Sequence, residues 1–443
     1  MRAEPIHFRD PIHGTIALSP DELALVESPV FQRLRGIRQL GFGDQAFPGA
    51  THTRFAHSLG AMHMAARMFD AVFPPGDEGL LPEGERRRLR QLVRLAVLLH
   101  DLGHAPLSHA TEDCMPLRGA LGLEGFTAAE QRERATHEDY TVLLLLASPL
   151  RPVLEQRFAP LGLGAYDVAR LIDPRFAPRA APLVVGGVDF APLLAQIVSG
   201  ELDADRMDYL QRDSFYAGVN YGKFDDQWLL SNLTLHVEDQ RAYLALAHRA
   251  IFAFEDFLLS RYHMFVSVYY HHTAVGFDTM LARFIEEEPQ AFALPTDAEG
   301  YVGYDDITLW TILRASRNPW ARRVVARDLY RRLLELHTAD GAAEIAALQD
   351  ALRQAAIDFF ISRDEGALSR YYAAGRQVPI FVINRALQRV SRVEEYSPLF
   401  QRYAQPARLT RVYVRPDQIE AARACLTKTL PRAMGEQLGL GWK

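Results

Sequence analysis

The run LAVLLHD at residues 95–101 is apolar nearly all round before it closes on an imidazole and a carboxylate. A helix that is hydrophobic on every face has to be buried. Residues 86–101 therefore read as a helix whose last turn lies inside a core, with Gly103 as its stop signal. Burying the Asp101 charge beside His100 costs several kcal/mol unless a partner or a metal ion compensates it. The fold must then enclose a helix end and bring compensating groups to it from elsewhere in the chain. Taken alone, the pair has a purely structural reading too, with Asp101 capping a neighbouring helix and His100 bonded to a carbonyl.

The 443 residues and 49% hydrophobic content leave room for one large helical core plus a smaller appended domain, or for two comparable domains. From about residue 21 to 274 apolar residues recur at three and four, the helical period. Over residues 51–72 they are Phe55, Leu59, Met62, Ala66 and Phe69, while Arg54 and His57 share another face one turn apart. Gly/Pro-rich stretches at 74–84 and 116–125 read as loops, and a third break at 286–306 is taken as the domain boundary, giving regions 1–285 and 286–443. Beyond it, helices are expected over 310–336, 342–362 and 416–426, with strands over 378–383 and 409–414. The fold class is mainly α, with a smaller α+β C-terminal region.

A net charge of -6, from 49 basic and 55 acidic residues mixed throughout, offers no basic face for a nucleic acid as main partner. A small anion needs only a few local cations and stays open. Cys114 and Cys425 have no CxxC spacing, which argues against a thiolate metal site and fits a reducing cytoplasm. Residues 1–10 lack an apolar leader and no run reaches the roughly 18 apolar residues of a membrane span, so no membrane partner is expected.

Compensation for His100 and Asp101 is available from His57 on the preceding helix and from the acidic cluster Asp203, Asp205 and Asp208 on a later one. Two imidazoles and two carboxylates from three helices suffice to enclose one divalent ion. Nitrogen and oxygen donors without thiolate suit Mn, Fe, Zn, Ni or Co better than Ca, and leave positions for water or a phosphate oxygen.

Six motifs stand in order: DPIHGTIAL at 10–18, FQRLRGIRQLG at 31–41, FPGATHTRFAHSLG at 47–60, LLHDLGHAPLSHA at 98–110, ATHED at 135–139 and LDADRMDYLQRD at 202–213. Together they resemble the HD-domain dNTP triphosphohydrolases, over roughly residues 8–285, with no SAM domain of the animal members ahead of them. The resemblance implies an HD phosphohydrolase core and hydrolysis of deoxynucleoside triphosphates to deoxynucleoside and triphosphate by attack at the α-phosphorus. It implies His57, His100, Asp101 and Asp205 as metal ligands; neighbouring helix positions point elsewhere, so Asp203 and Asp208 are expected on a solvated face. His104 and His137 correspond to the catalytic histidines. Their carboxylate partner is Glu112 where the animal enzyme has Asp, with Asp113 adjacent, and His109 is expected to orient a ligand. Arg54, Arg206 and Arg261 fall where triphosphate is bound, Arg206 replacing a Lys. Gln39 and Asp213 are implied at the sugar 3′-hydroxyl, Tyr209 under the ring, and Tyr269 and His271 beside the base. Mg²⁺ accompanying the triphosphate, a dimer or tetramer, and a nucleotide activator complete what the family suggests. Gln32, Arg35 and Glu27 match or approximate its activator positions, whereas Ile6 and His7 do not repeat its basic start. The alternatives are an HD phosphohydrolase or phosphodiesterase for another nucleotide, and a non-catalytic nucleotide or single-strand binder.

Overall fold

The computed structural model describes residues 4–76, 79, 81–337, 342–366, 378–399 and 407–430. Positions 77, 78 and 80 of the loop expected at 74–84 lie outside the described residues. The molecule is mainly helical, with a two-stranded, a six-stranded and a three-stranded sheet among the described residues. At its centre the helices Arg54–Val72, Glu83–Leu99 and Ala204–Ala217 pack together, with His137–Ala147 alongside. Leu92 to Leu99 are buried without exception, as the apolar run requires.

Two glycines set how closely these elements approach. A Cβ on Gly60 would stand 2.0 Å from Asp208 Oδ1 and 2.2 Å from Arg212 Nη2, so only glycine lets the Ala204–Ala217 helix bring its carboxylate this near. A Cβ on Gly103 would meet the His137 carbonyl oxygen at 2.0 Å and Thr141 N at 2.3 Å. Gly103 therefore serves close approach to the His137–Ala147 helix. It is absent from the positive-φ glycines, so the left-handed stop expected of it is not what it provides.

The loop after Asp101 is clamped from outside the central helices. Arg33 donates to the carbonyls of Leu102 at 3.1 Å and His104 at 2.8 Å, and Tyr301 Oη donates to the Gly103 carbonyl at 2.7 Å. Asp306 accepts from Leu107 N at 2.7 Å, where Leu107 and Ser108 both hold a left-handed φ of 57°. Such backbone persists only where its surroundings fix it. The principal core does not stop at the break near residue 286, since Tyr301, Leu309, Leu313 and Tyr330 belong to it; a second cluster gathers Leu334, Leu348, Leu352, Val412 and Leu426.

Several elements differ from the sequence reading. The helix expected over 310–336 is Asp306–Ala315, then Pro319–Ala326, then strand Arg331–Leu336. Asn318 caps the second helix with Pro319 at its first position, and Arg327 ends it at a φ of 56°. The helix expected over 342–362 is Ala342–Gln354, after which Phe359–Gly366 pairs with Ala407–Val414 as a strand. Aromatic and β-branched residues there favour the pleated surface once a partner exists. Inside the span taken as helical, Leu233–Glu238 and Arg241–Ala247 form a hairpin, turned by Asp239 and Gln240 at φ 49° and 58°. Ile6–Asp10 and Gly14–Leu18 form another.

Candidate metal centre and active site

Donor atoms of His57, His100 and Asp101 gather within 4.8 Å of one another, and Asp205 on a third helix faces both rings. His57 Nε2 lies 3.0 Å from Asp205 Oδ1 and 3.6 Å from Asp101 Oδ2; His100 Nε2 lies 3.2 Å from Asp101 Oδ1 and 3.5 Å from Asp205 Oδ1. Both Nε2 atoms are buried, and neither has a partner of hydrogen-bonding geometry. Each ring is held from behind. His57 Nδ1 donates to Asp208 at 2.8 Å and His100 Nδ1 to the Val97 carbonyl at 2.6 Å, which aims each Nε2 at the carboxylates.

Electrostatics favour a cation at this point. Burial works against a charge on His57, yet the carboxylates of Asp205, Asp208 and Asp101 push its pKa up to about 10. Burial likewise opposes ionisation of Asp101 and Asp205. For Asp101 the charges of Arg54, His100 and His104 overcome it; for Asp205 the proximity and charge of His100 and His57 do, and both groups stay below the usual carboxylate range. Two orphaned imidazole nitrogens facing two ionised carboxylates fit a divalent ion.

Beside this cluster His104 and His137 stack, ring centroids 3.9 Å apart and planes within 15°. His104 Nε2 faces Asp101 Oδ1 at 3.3 Å, and His137 Nδ1 donates to Glu112 at 2.5 Å. The pair is driven apart in basicity. Burial, then the charges of Arg54 and His137, hold His104 well below its ordinary value. Burial lowers His137 as well, but Glu112, Glu138 and Asp101 overcome it and raise its pKa. One ring is thus made a weaker base than an ordinary imidazole and its neighbour a stronger one, the pattern that separates base from acid. Glu112 also receives His109 Nδ1 at 2.9 Å, so exposed His109 touches the carboxylate instead of orienting a ligand.

The three arginines are all engaged with acidic groups. Arg54 donates to Asp101 at 2.6 Å and to Ser108 at 2.7 Å; Arg206 is paired with Asp203; Arg261 Nη1 lies 3.5 Å from Glu201. Asp213 accepts from His52 Nε2 at 2.7 Å and from Tyr269 Oη at 2.9 Å, and the Tyr209 ring lies 6.5 Å from His57 and 6.0 Å from Tyr269. Gln39 lies beside this group, its N–H donating to the His52 carbonyl and its buried Oε1 unpartnered. His271 stands at the start of the His272–Glu287 helix, its ring against Phe47 and His272.

The solvated-face expectation for Asp203 and Asp208 is corrected: both are completely buried. Asp203 caps the Ala204–Ala217 helix and pairs with Arg206. Asp208 backs His57. It falls three residues after Asp205, which places it on a neighbouring face of the same helix, and the small residue at Gly60 opposite is the signal that could have found it. His52 and His13 were also missed, each a lone histidine until the fold supplies Asp213 and Asp208 as partners.

The chain is similar to known proteins over much of its length. Residues 54–213 match the family described as HD domain, and residues 224–366 the family described as HD associated region. An uncharacterized protein of Methanocaldococcus jannaschii is 30% identical over 74% of this chain and 59% of its own length. The human deoxynucleoside triphosphate triphosphohydrolase SAMHD1 is 30% identical over 62% of this chain and 43% of its own. The chain thus spans less than two thirds of the length of these relatives. Among solved structures, a hypothetical protein from Aquifex aeolicus superposes with a TM-score of 0.73 at 28% identity, covering 96% of this chain and all of its own. A phosphohydrolase from Bacteroides thetaiotaomicron, at 22% identity and TM-score 0.66, shares the fold.

Proposed function

We propose that the chain, whose residues 54–213 match the HD domain, is a metal-dependent phosphohydrolase of that superfamily, cleaving deoxynucleoside triphosphates to deoxynucleoside and triphosphate. The observation that carries the reading is the convergence of His57, His100, Asp101 and Asp205 on one point, with two buried Nε2 atoms left for an ion, beside the stacked pair His104 and His137. The dNTP itself is supported by likeness to relatives bearing that activity in their names and by the grouping of Gln39, Tyr209, Asp213 and Tyr269 near His57.

A divalent ion such as Mn, Fe, Zn, Ni or Co, held by the four donors, supplies Lewis acidity toward a phosphate oxygen. The remaining work falls to side chains of the chain. Arg54, fixed against Asp101, holds positive charge at the edge of the cluster. His104, held below its ordinary basicity, is suited to accept a proton from an attacking water, and His137, whose protonated form Glu112 favours, to donate one to the leaving oxygen. Arg206 and Arg261 complete the triphosphate-binding set, which requires their exchange from Asp203 and Glu201 to phosphate; Mg²⁺ accompanies the triphosphate. Tyr209 fills the space beside the sugar where a 2′-hydroxyl would project, and His271 stands toward the base. The reading includes a homo-oligomer, dimer or tetramer, a nucleotide activator and a cytoplasmic setting; no described helix is long and apolar enough to cross a membrane.

The test is a chromatographic assay with Mn²⁺ of the four dNTPs, singly and mixed, against NTPs, nucleoside monophosphates and cyclic dinucleotides. Whole triphosphate released from dNTPs is the expected result. Orthophosphate release, or turnover confined to another nucleotide, assigns the alternative phosphohydrolase, and binding without turnover assigns a nucleotide or single-strand binder.

A further inference from the structure

His57 offers Nε2 to an ion only while its proton sits on Nδ1, and that tautomer is set by what Nδ1 faces. It faces Asp208, a carboxylate with no solvent exposure whose two oxygens take four donors. These are His57 Nδ1, Arg212 Nε and Arg212 Nη2, each at 2.8 Å, and His13 Nε2 at 2.6 Å. The first three come from within residues 54–213, the segment matching the HD domain. The fourth comes from the N-terminal hairpin outside it. There Asp10 Oδ1 accepts the N–H groups of Ile12 and His13 at 2.9 Å each, and Gly14 takes a φ of 73° to reverse the chain. The other Asp10 oxygen receives Arg212 Nη1 at 2.8 Å. The turn therefore reaches the same buried carboxylate twice, directly through His13 and indirectly through Arg212.

We infer that the turn at residues 10–14 is a positioning element for the metal centre, in which His13 fixes the Asp208 carboxylate that keeps His57 in its ligating tautomer. The inference rests on the metal-centre reading above. His13 touches neither the ion position nor substrate; it acts through Asp208 on a ligand. Without its donor, Asp208 gains freedom to rotate about its remaining bonds, and Nδ1 of His57 loses a fixed acceptor. The consequence is weaker metal binding with the rest of the core intact.

The experiment measures Mn²⁺ bound to the full chain in competition with a chelator, alongside unfolding midpoints of the metal-free protein. His13→Ala is expected to lower Mn²⁺ affinity by about 10–100-fold, the usual effect of removing a group that orients a ligand, with the metal-free midpoint close to the parent's. His13→Gln, whose amide nitrogen donates from nearly the same place, is expected to recover most of the affinity. Unchanged affinity in His13→Ala, or equal losses in the Ala and Gln variants, overturns the inference. If His13→Ala yields no folded protein, Asp10→Asn weakens the Arg212 link while leaving His13 in place. Reduced affinity in that variant supports the inference and parental affinity overturns it. Failure of the underlying reading looks different: the parent would then bind no more Mn²⁺ than Asp205→Ala.

Discussion

Gly60 lies in mid-helix, where alanine would ordinarily stabilise by about 1 kcal/mol through backbone entropy. Here the added methyl would stand 2.0 Å from Asp208 Oδ1 and 2.2 Å from Arg212 Nη2, well inside contact distance and against two groups with no freedom to retreat. Arg212 is completely buried and bonded to Asp208 through two nitrogens and to Asp10 through the third. Relief requires the Ala204–Ala217 helix to withdraw from the Arg54–Val72 helix or the ion pair to break. Breaking a buried pair costs about 3–5 kcal/mol, so Gly60→Ala is expected to be destabilising by about 2–4 kcal/mol net of its helix-propensity gain. Metal content should fall with it, because the same displacement takes Asp208 from His57 and Asp205 from the cluster. Chemical unfolding followed by circular dichroism, with metal analysis of the same samples, reads both effects. Gly84→Ala is the internal control: it sits in the first turn of the Glu83–Leu99 helix with nothing within 4 Å of its added carbon, and is expected to be neutral or stabilising by up to about 1 kcal/mol. A Gly60→Ala protein as stable and as metal-replete as the parent would refute the close-approach argument.

Asp205→Ala is expected to lose metal and turnover together, whereas His104→Gln should keep its metal and lose turnover; retained activity in the first removes Asp205 from the ligand set. Glu112→Gln takes away the carboxylate that raises His137 against the effect of burial, so the imidazolium should surrender its proton at lower pH and the alkaline limb of the activity profile should move down. In stability the sign is the same. A histidine whose folded value is raised contributes fully below its unfolded value near 6.5 and loses the contribution as pH climbs through the folded one, so the variant should lack that alkaline decline. An unshifted activity limb in Glu112→Gln removes His137 as the group that titrates. Tyr301→Phe deletes only the hydroxyl that donates to the Gly103 carbonyl and is expected to be destabilising by about 0.5–1.5 kcal/mol, with turnover reduced at full metal occupancy because the loop carrying His104 loosens. Equal turnover per bound metal would count against the clamp.

The amino-acid order alone determined that a fully apolar helix must end in a buried imidazole and carboxylate, because neither burial of that run nor the cost of leaving Asp101 uncompensated depends on the rest of the fold. It also offered His57 and the acidic cluster Asp203, Asp205 and Asp208 as compensating groups, with Asp205 singled out only by the family resemblance, and it gave the helical centre and the strand at 409–414 within a residue or two. Only the tertiary structure decided what each charge faces. Asp203 and Asp208 carry the pattern of an exposed helix face; Asp208 is buried against Gly60 and Arg212, and Asp203 as the cap of its helix paired with Arg206. His13, some two hundred residues away in the chain, becomes a partner of Asp208 only through the fold. Arg54, Arg206 and Arg261, free cations as far as the sequence goes, are each turned onto a carboxylate. Strands such as Phe359–Gly366 escaped detection because short apolar runs take the pleated form only when a neighbouring edge is present, and that edge, Ala407–Val414, lies more than forty residues further on. Periodicity reports which residues are inside; pairing across distant segments reports what they do there.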